Sequence, residues 1–215
     1  MKIAVIGATG FVGSNITKEL ISRNQQVTGI TRSNNQSDHP NLTYASVDIL
    51  NVNELAQTLK GHDAVVSAYN AGWTNPNLYH DFLAGSKAIQ EAVKLSGVKR
   101  FIVIGGAGSL YVAEGIQAVD TPDFPKEFYP GASAARDYLN DIKNENELDW
   151  AFFSPALEMH QGITTGRTGE YRLGKDNPVF DENGRSILSA EDVAVVIADE
   201  VEQPKHHQER YTAAY

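Results

Sequence analysis

The sequence contains no cysteine, and none of its apolar runs approaches the roughly 18–20 residues that a helix needs to span a bilayer. Disulfides, thiolate catalysis and cysteine-ligated metal centres are therefore excluded. Basic residues are also scarce, since 18 lysines and arginines face 27 acidic residues and give a formal net charge of −9. Such a surface disfavours nucleic acid and anionic membranes as partners, although a local cationic pocket can still hold a small anion.

The N-terminus also lacks the apolar segment of a signal peptide, because the chain enters a strand pattern at once. We therefore expect a cytoplasmic protein, a monomer or homodimer, that acts on a small-molecule substrate. Of the 215 residues, 41% are hydrophobic, which is enough for one sizeable core and one domain over residues 1–215.

A glycine-rich stretch near the N-terminus carries the main functional signal. The apolar run of residues 2–6 ends at Gly7, and Gly10 and Gly13 follow at the spacing G-x-x-G-x-x-G before a helical pattern over residues 14–21. A strand, glycine loop and helix in this order hold a dinucleotide pyrophosphate at the N–H groups of the helix N-terminus. The alternative is a tight turn that binds nothing. The predicted cofactor contacts of this loop are Gly7, Ala8, Thr9, Gly10, Phe11, Val12 and Gly13.

Strand patterns followed by helical patterns recur along the first 153 residues. Continuous apolar strands that alternate with helices are typical of a parallel sheet covered on both faces. The sequence therefore predicts an α/β fold with a doubly wound, Rossmann-type parallel sheet. After the first strand, the predicted strands are 26–30, 42–47, 63–68, 100–105 and 148–153, and the predicted helices are 52–59, 77–96 and 132–145.

The last part of the chain, residues 156–215, has a different pattern. Short strands are expected at 170–173 and 178–180, a helix from an N-cap at Ser189 to about residue 201, and a last strand at 210–214. We expect a small C-terminal lobe on the substrate side of the sheet, without a core of its own. Arg167 either anchors this lobe or meets an anionic substrate.

The end of the second predicted strand indicates the cofactor. An acidic residue there would bind the ribose hydroxyls of NAD, whereas this strand ends in Thr31-Arg32-Ser33. The Arg32 guanidinium can pair with a 2′-phosphate and stack on adenine. The sequence therefore predicts NADP, with NAD as the alternative cofactor and a solvated loop charge as the alternative role of Arg32.

The carboxyl ends of the other strands are expected to complete the cofactor site. Asp48 follows the third strand, where its carboxylate can contact the adenine amino group while the next backbone groups hold the ring. Its alternative role is to cap the helix that begins near Val52. The remaining predicted cofactor contacts are Ile49, Leu50, Ala68, Tyr69, Asn70 and Gly106.

Three side chains are candidates for contact with a substrate. Trp73 follows the fourth strand and can stack on a flat substrate or pack on the neighbouring helix. Ser109 follows the fifth strand and is the candidate catalytic residue, with a plain turn serine as the alternative. Arg136 can face the pocket or solvent. No metal site is predicted, because the adjacent His206 and His207 lack the spacing of metal ligands and are expected at the surface.

Several segments together resemble the atypical branch of the short-chain dehydrogenase/reductase superfamily. More narrowly, the chain resembles the NmrA-like NAD(P)-binding proteins described provisionally as NADH-flavin reductases, and it is similar in outline to biliverdin reductase B. The resemblance implies an NAD(P)H-dependent oxidoreductase with a flavin such as FMN as a candidate substrate, and it places Pro155 beside the nicotinamide. The segments that carry it are GATGFVG at 7–13, ARDYL at 135–139, LDWAFFSPA at 148–156, RTGEYRLG at 167–174 and SAEDVA at 189–194.

The sequence departs from the superfamily in its catalytic pair, a tyrosine and a lysine four residues later on the helix after the fifth strand. Here Tyr129 is followed at that spacing by a serine and Tyr138 by an isoleucine. Tyr171 and Lys175 do have the spacing, but they lie beyond the sixth strand. Gly174 between them argues against a helix, so we interpret this match as chance.

The absence of a tyrosine–lysine pair limits the reactions that the protein can catalyse. Alcohol–ketone redox chemistry, epimerisation and dehydration need a positioned acid or base. Reduction of a flavin or quinone mainly needs two flat rings held in contact. The sequence therefore favours an NAD(P)H-dependent reductase of a flavin, quinone or similar conjugated acceptor. The alternatives are a redox sensor that binds NADP without turnover, and an epimerase- or dehydratase-like enzyme.

Overall fold

The computed structural model describes all residues from 1 to 215 and contains ten strands and five α-helices. The strands are β1 Lys2–Ile6, β2 Gln26–Thr31, β3 Leu42–Ser46, β4 Ala64–Ser67, β5 Arg100–Ile104, β6 Tyr111–Ala113, β7 Ile116–Gln117, β8 Asp149–Phe153, β9 Arg172–Gly174 and β10 Glu209–Ala214. The helices are α1 Phe11–Ser22, α2 Val52–Leu59, α3 Leu78–Ser96, α4 Tyr129–Ile142 and α5 Ala190–Glu202. None of these helices has both the length and the apolar character needed to cross a bilayer.

Eight strands form one sheet in the order β3-β2-β1-β4-β5-β8-β10-β9. All neighbours pair in parallel except β9, which is antiparallel to β10. The chain progresses outward from β1 to β3, returns to β4 on the other side of β1, and then continues outward. This reversal confirms the predicted doubly wound, Rossmann-type sheet.

Helices cover both faces of the sheet. Successive strand residues point to opposite faces, so Phe101 packs in one core with α2, α3 and α4, while Ile102 packs in the other core with α1 and α5. Because both faces are buried, the central strands read as nearly continuous apolar runs. The two cores fix the carboxyl ends of β1, β4 and β5 side by side.

Three features between residues 105 and 180 differ from the sequence prediction. The β6–β7 hairpin, which lies before α4, was not predicted because strands of three and two residues are too short to show alternation. Helix α4 begins at Tyr129, three residues earlier than predicted, with Pro130 in its first turn. The predicted strand at 178–180 is wrong, since the segment forms no ladder and its proline has no N–H to donate.

Residues 156–215 supply β9, α5 and β10 to the same sheet and helical layer. Ser189 accepts a hydrogen bond from the backbone N–H of Asp192 at 3.0 Å, as expected of the α5 N-cap. The Arg167 guanidinium pairs with both carboxylate oxygens of Glu19 on α1, at 2.8 and 2.9 Å. Of its two predicted roles, Arg167 therefore fills the anchoring one.

The prediction that His206 lies at the surface is wrong. Its ring is buried, stacks on Tyr211 with 4.1 Å between centroids, and places Nδ1 2.7 Å from a Glu200 oxygen. The reason is that β10 pairs with β8, and this pairing draws the segment just before β10, which contains His206, into the fold. His207 is exposed as predicted and contacts Asp149.

Candidate cofactor cleft and active site

The glycine loop between β1 and α1 brings backbone segments into unusually close contact. Gly7 has a φ of +78°, and a Cβ there would lie 2.6 Å from the carbonyl oxygen of Ala68. A Cβ at Gly13 would lie 2.1 Å from the carbonyl oxygen of Gly7, while Ala8 between them is buried. Both positions therefore require glycine, and α1 sits closer to β1 than any side chain would allow.

The start of α1 is left open for an anion. The backbone N–H groups of Phe11, Val12 and Gly13 have no acceptor within the protein, and the N-cap residue Gly10 supplies no side-chain cap. No acidic residue stands in the first turn of the helix. Unpaired N–H groups and the positive end of the helix dipole suit a phosphate, so the residues present fit a dinucleotide pyrophosphate.

A cavity of about 390 Å³ runs from this loop along the carboxyl ends of β1, β2, β3 and β4. It lies at the point where the strand order reverses, which is where open α/β sheets bind ligands. The predicted cofactor contacts that line it are Gly7, Thr9, Gly10, Arg32, Asp48, Ile49, Leu50, Ala68, Tyr69 and Asn70.

Three of the lining residues that were not predicted lie in α3 or in the loop before it. Asn75, Asp81 and Ala84 belong to the β4–α3 loop and to α3, and the Asn75 amide donates to the Asp81 carboxylate at 2.8 Å. Their place in the cavity depends on how α3 packs on the sheet, which the sequence pattern does not define. The polar loop directly after the fourth strand was the one signal that could have indicated Asn75.

Arg32 is the exposed cation of this cleft. It follows the last residue of β2, and only its carbonyl oxygen is bonded, accepting from Ser46 Oγ at 3.1 Å. Thr31 Oγ1 instead donates to the carbonyl oxygen of Ser33 at 2.8 Å, inside the turn. The guanidinium is thus free to meet an anion, whereas the Thr31 hydroxyl already has a partner.

Asp48 lines the same cavity as Arg32. Its Oδ1 accepts from the backbone N–H of Leu50 at 3.0 Å, while the N-cap of α2 is Asn51, whose side chain accepts from Glu54. The alternative in which Asp48 caps α2 is therefore wrong. One carboxylate oxygen of Asp48 remains without a protein donor.

Tyr69 forms a fixed wall between the loop and α3. Its ring stacks on Phe82 at 5.8 Å, and its hydroxyl donates to the Asp81 carbonyl oxygen at 3.0 Å. Burial, and then the negative charge of Asp81, raise the pKa of the Tyr69 hydroxyl. Asn70 next to it accepts from the N–H of Gly72 at 2.7 Å and so shapes the turn. Neither residue is poised to donate a proton.

Ser109 lies elsewhere than the sequence suggests. Its side chain is fully buried, with Oγ 2.9 Å from both the Gly106 carbonyl oxygen and Ser154 Oγ. Its carbonyl oxygen accepts from Gln117 at 2.8 Å and from the buried Arg210. The short helical turn over residues 107–109 directs the hydroxyl inward, so it holds the loop after β5 and does not reach the cleft.

Gly106 and Pro155 follow β5 and β8, and neither of them lines the nucleotide cavity. A Cβ at Gly106 would lie 3.2 Å from Cβ of Ala135, so α4 packs directly on this loop. Pro155 is buried two residues after β8. Their contact with the nicotinamide therefore stays a prediction.

No tyrosine–lysine pair is present on α4. Tyr138 is buried and donates to Gln90 at 3.1 Å, and burial raises the pKa of its hydroxyl well above the ordinary value. In the tail, Tyr171 donates to Asp199 at 2.6 Å while Lys175 pairs with Glu209 at 2.9 Å. These two residues flank a strand and have separate partners, which confirms that their spacing is a chance match.

The two remaining substrate candidates are Arg136 in the middle of α4 and Trp73 in the β4–α3 loop. Arg136 is partly buried, and its guanidinium pairs with Asp137 at 2.6 Å and Asp120 at 3.0 Å, so its charge is already neutralised. Trp73 is exposed and meets Phe128 edge-to-face, with 5.6 Å between centroids. It therefore packs on the neighbouring helix and also offers an open ring face.

The sheet order, the glycine loop and the cleft at the strand reversal together define a dinucleotide-binding protein of the Rossmann type. Over residues 7–204 the chain matches a family model described as NAD(P)H-binding, and it belongs to that family. Its nicotinamide cofactor follows from this membership.

Similar proteins extend over the whole chain. Bacillus subtilis YwnB is 36% identical over 214 residues, which is 99% of this chain and 97% of that protein. A solved structure from Bacteroides thetaiotaomicron, provisionally named an epimerase, has 41% identity and a TM-score of 0.91, covering 100% of this chain and 96% of that one. A Streptococcus pneumoniae structure, provisionally named an NADH-flavin reductase, has 36% identity and a TM-score of 0.86, covering 100% and 99%. The resemblance to atypical short-chain dehydrogenases/reductases is thereby confirmed.

Proposed function

We propose that the protein is an NADPH-dependent reductase of a flavin, quinone or similar conjugated acceptor. The observation that carries this proposal is a well-formed nucleotide cleft without a positioned proton donor. The hydroxyls of Ser109 and Tyr138 are bonded inside the fold, and Arg136 is neutralised by two carboxylates. A bound reduced nicotinamide supplies a hydride to an electrophilic ring atom of such an acceptor, and water supplies the proton that completes the reduction.

The residues of the chain act mainly by binding and orientation. The free N–H groups of Phe11, Val12 and Gly13 hold the pyrophosphate, and Arg32 pairs with the 2′-phosphate. Gly106 and Pro155, which are predicted to contact the cofactor, carry no ionisable group. Rate enhancement then comes from holding two rings in reacting contact.

We expect Arg32→Ala to weaken NADPH binding by about 10- to 100-fold and to leave NADH binding nearly unchanged, because a charged hydrogen-bonded pair contributes roughly 1.5–3 kcal/mol. The measurement is a calorimetric titration of each nucleotide. Lys143→Ala, which removes an exposed cation at the end of α4, is the matched control. An unchanged ratio of NADPH to NADH affinity would show that Arg32 does not select the cofactor.

The activity itself is tested by mixing the purified protein with NADPH and with FMN, lumiflavin or menadione, and following the absorbance of the reduced nicotinamide. We expect saturable oxidation of NADPH with at least one of these acceptors. Tight NADPH binding without oxidation by any acceptor would refute the reductase and favour a redox sensor, which the missing acid–base pair also suits.

An epimerase- or dehydratase-like activity has less support. The name of the Bacteroides thetaiotaomicron protein points toward that class. Such reactions need a group that takes or gives a proton at carbon or oxygen. In this cleft the Tyr69 hydroxyl is bonded to a carbonyl oxygen and has a raised pKa, which makes it a poor candidate for that role.

A further inference from the structure

Three large aromatic side chains are exposed around the start of α4. Trp73 is 57% exposed, and Phe128 and Tyr129 are each 48% exposed. They come from two separate segments, the β4–α3 loop and the start of α4. We refer to Trp73, Phe128 and Tyr129 as the aromatic shelf. A contiguous exposed apolar patch on a folded protein commonly marks a binding site.

The shelf is fixed by packing. Trp73 and Phe128 meet at 83° with 5.6 Å between their centroids, the edge-to-face arrangement that aromatic rings favour. The Trp73 ring lies over Gly131, where a Cβ would be only 2.7 Å from ring atom Cζ3 and 3.3 Å from a Leu78 methyl group. Helix α4 thus has a glycine where the indole packs against it. The backbone at Gly131 and the Leu78 side chain prevent the indole from becoming more deeply buried.

The shelf continues the cofactor cleft. Trp73 stands in the chain between Ala71 and Asn75, both of which line the nucleotide cavity. Helix α4, which carries Phe128 at its N-cap, packs on Gly106 in the loop after β5. The shelf is therefore at the carboxyl edge of the sheet beside β4 and β5, beyond the part of the cleft that fits the adenosine half.

We propose that the aromatic shelf binds the fused ring system of the hydride acceptor by stacking, and so selects flat acceptors of two or three rings. This inference rests on the proposed reductase function and names the substrate class of that site. Arg136 on the same helix is held by Asp120 and Asp137, so the shelf recognises ring area more than a negative charge. A flat ring gains stacking contact with every aromatic face it covers.

Tryptophan fluorescence can report the binding of a ring system to the shelf. Of its two tryptophans, Trp73 is exposed on the shelf, whereas Trp150 is buried in the core. Titration of the NADP⁺-bound protein with lumiflavin is expected to quench the fluorescence of Trp73, after correction for flavin absorbance. In Trp73→Phe the remaining fluorescence of Trp150 is expected to respond little.

Kinetics supply the second measurement. Phe128→Ala and Trp73→Ala are expected to raise the KM for lumiflavin about tenfold, the effect of losing one good stacking contact, and to raise the KM for single-ring benzoquinone less. Phe180→Ala is the matched control, since its ring is 47% exposed but lies in the tail beyond β9. The affinity of each variant for adenosine 2′,5′-bisphosphate is expected to stay unchanged. This measurement checks that the substitutions leave the nucleotide cleft intact.

The outcomes separate the shelf from the reductase proposal. Quenching of Trp73 by lumiflavin without any NADPH oxidation would support the shelf and refute the reductase. Turnover with KM values within twofold of wild type in both Trp73→Ala and Phe128→Ala would refute the shelf alone. Absence of lumiflavin binding would also overturn the shelf. If the shelf variants change only the oligomeric state, from dimer to monomer in sedimentation, the patch is a contact between copies of the chain and the shelf is overturned as well.

Discussion

Gly13→Ala is expected to weaken NADPH binding by at least about 100-fold, since the loss of two hydrogen bonds to a charged phosphate costs about 3 kcal/mol or more. The new Cβ would lie 2.1 Å from the carbonyl oxygen and 2.8 Å from the carbonyl carbon of Gly7. Both are backbone atoms of the loop that follows β1, so no side-chain rotation relieves the clash. Helix α1 must move outward, and the free N–H groups of Phe11 and Val12 move with it.

Gly10→Ala is the graded control for this prediction. Gly10 has a negative φ, and a Cβ there would meet only the Gly7 carbonyl oxygen, at 3.3 Å. We expect a smaller loss of NADPH affinity in Gly10→Ala than in Gly13→Ala, measured by calorimetry with circular dichroism as a check on folding. NADPH affinity of Gly13→Ala within tenfold of wild type would contradict the proposed role of the close contact between α1 and β1.

Local sequence patterns were sufficient for the nucleotide half of the cleft. The glycine spacing from Gly7 to Gly13 defines a local loop that depends only on neighbouring residues. A parallel sheet places Arg32 and Asp48, which follow two of its strands, at its carboxyl edge without regard to side-chain packing. The same reasoning predicted the sheet order, because alternating strands and helices leave few topologies open. These inferences needed no knowledge of distant contacts.

The other half of the cleft depends on contacts that no local pattern encodes. Ser109 turns inward because Ser154 and Arg210, from β8's end and from β10, bind its hydroxyl and carbonyl groups. Trp73 gains its edge-to-face partner only because α4 begins at Tyr129 and brings Phe128 beside it. Both outcomes are set by tertiary packing, so the sequence could name these side chains but not their orientation.

Asp192→Asn is expected to lower the free energy of unfolding by about 2–4 kcal/mol, because it weakens hydrogen bonds to a charged acceptor, each worth roughly 1.5–3 kcal/mol, and leaves a buried donor unsatisfied. The Asp192 side chain is fully buried and accepts from the backbone and hydroxyl of Thr168, from the N–H of Gly169 and from the Tyr215 hydroxyl, at 2.7 to 3.0 Å. The asparagine amide replaces one of the two acceptor oxygens with an NH2 group, which then faces buried donors. It also removes a negative charge from the first turn of α5, where the helix dipole favours it.

Glu191→Gln is the matched control, because it removes a charge from the same helical turn without breaking this network. Denaturant unfolding of both variants supplies the measurement. Burial alone would raise the pKa of Asp192, but the hydrogen bonds from Tyr215, Thr168 and Gly169 outweigh it and leave the pKa below its ordinary value.

The lowered pKa gives the same prediction a dependence on pH. A carboxyl with a depressed pKa in the folded state stabilises the fold above its unfolded pKa, and the contribution is lost as pH falls through the folded value. The stability difference between wild type and Asp192→Asn is therefore expected to be constant above about pH 5 and to shrink below about pH 3.9, the ordinary pKa of aspartate. A difference that grows on acidification, or one no larger than that of Glu191→Gln at neutral pH, would contradict the assignment of Asp192 as the charged anchor of residues 168–169 and the C-terminal tyrosine.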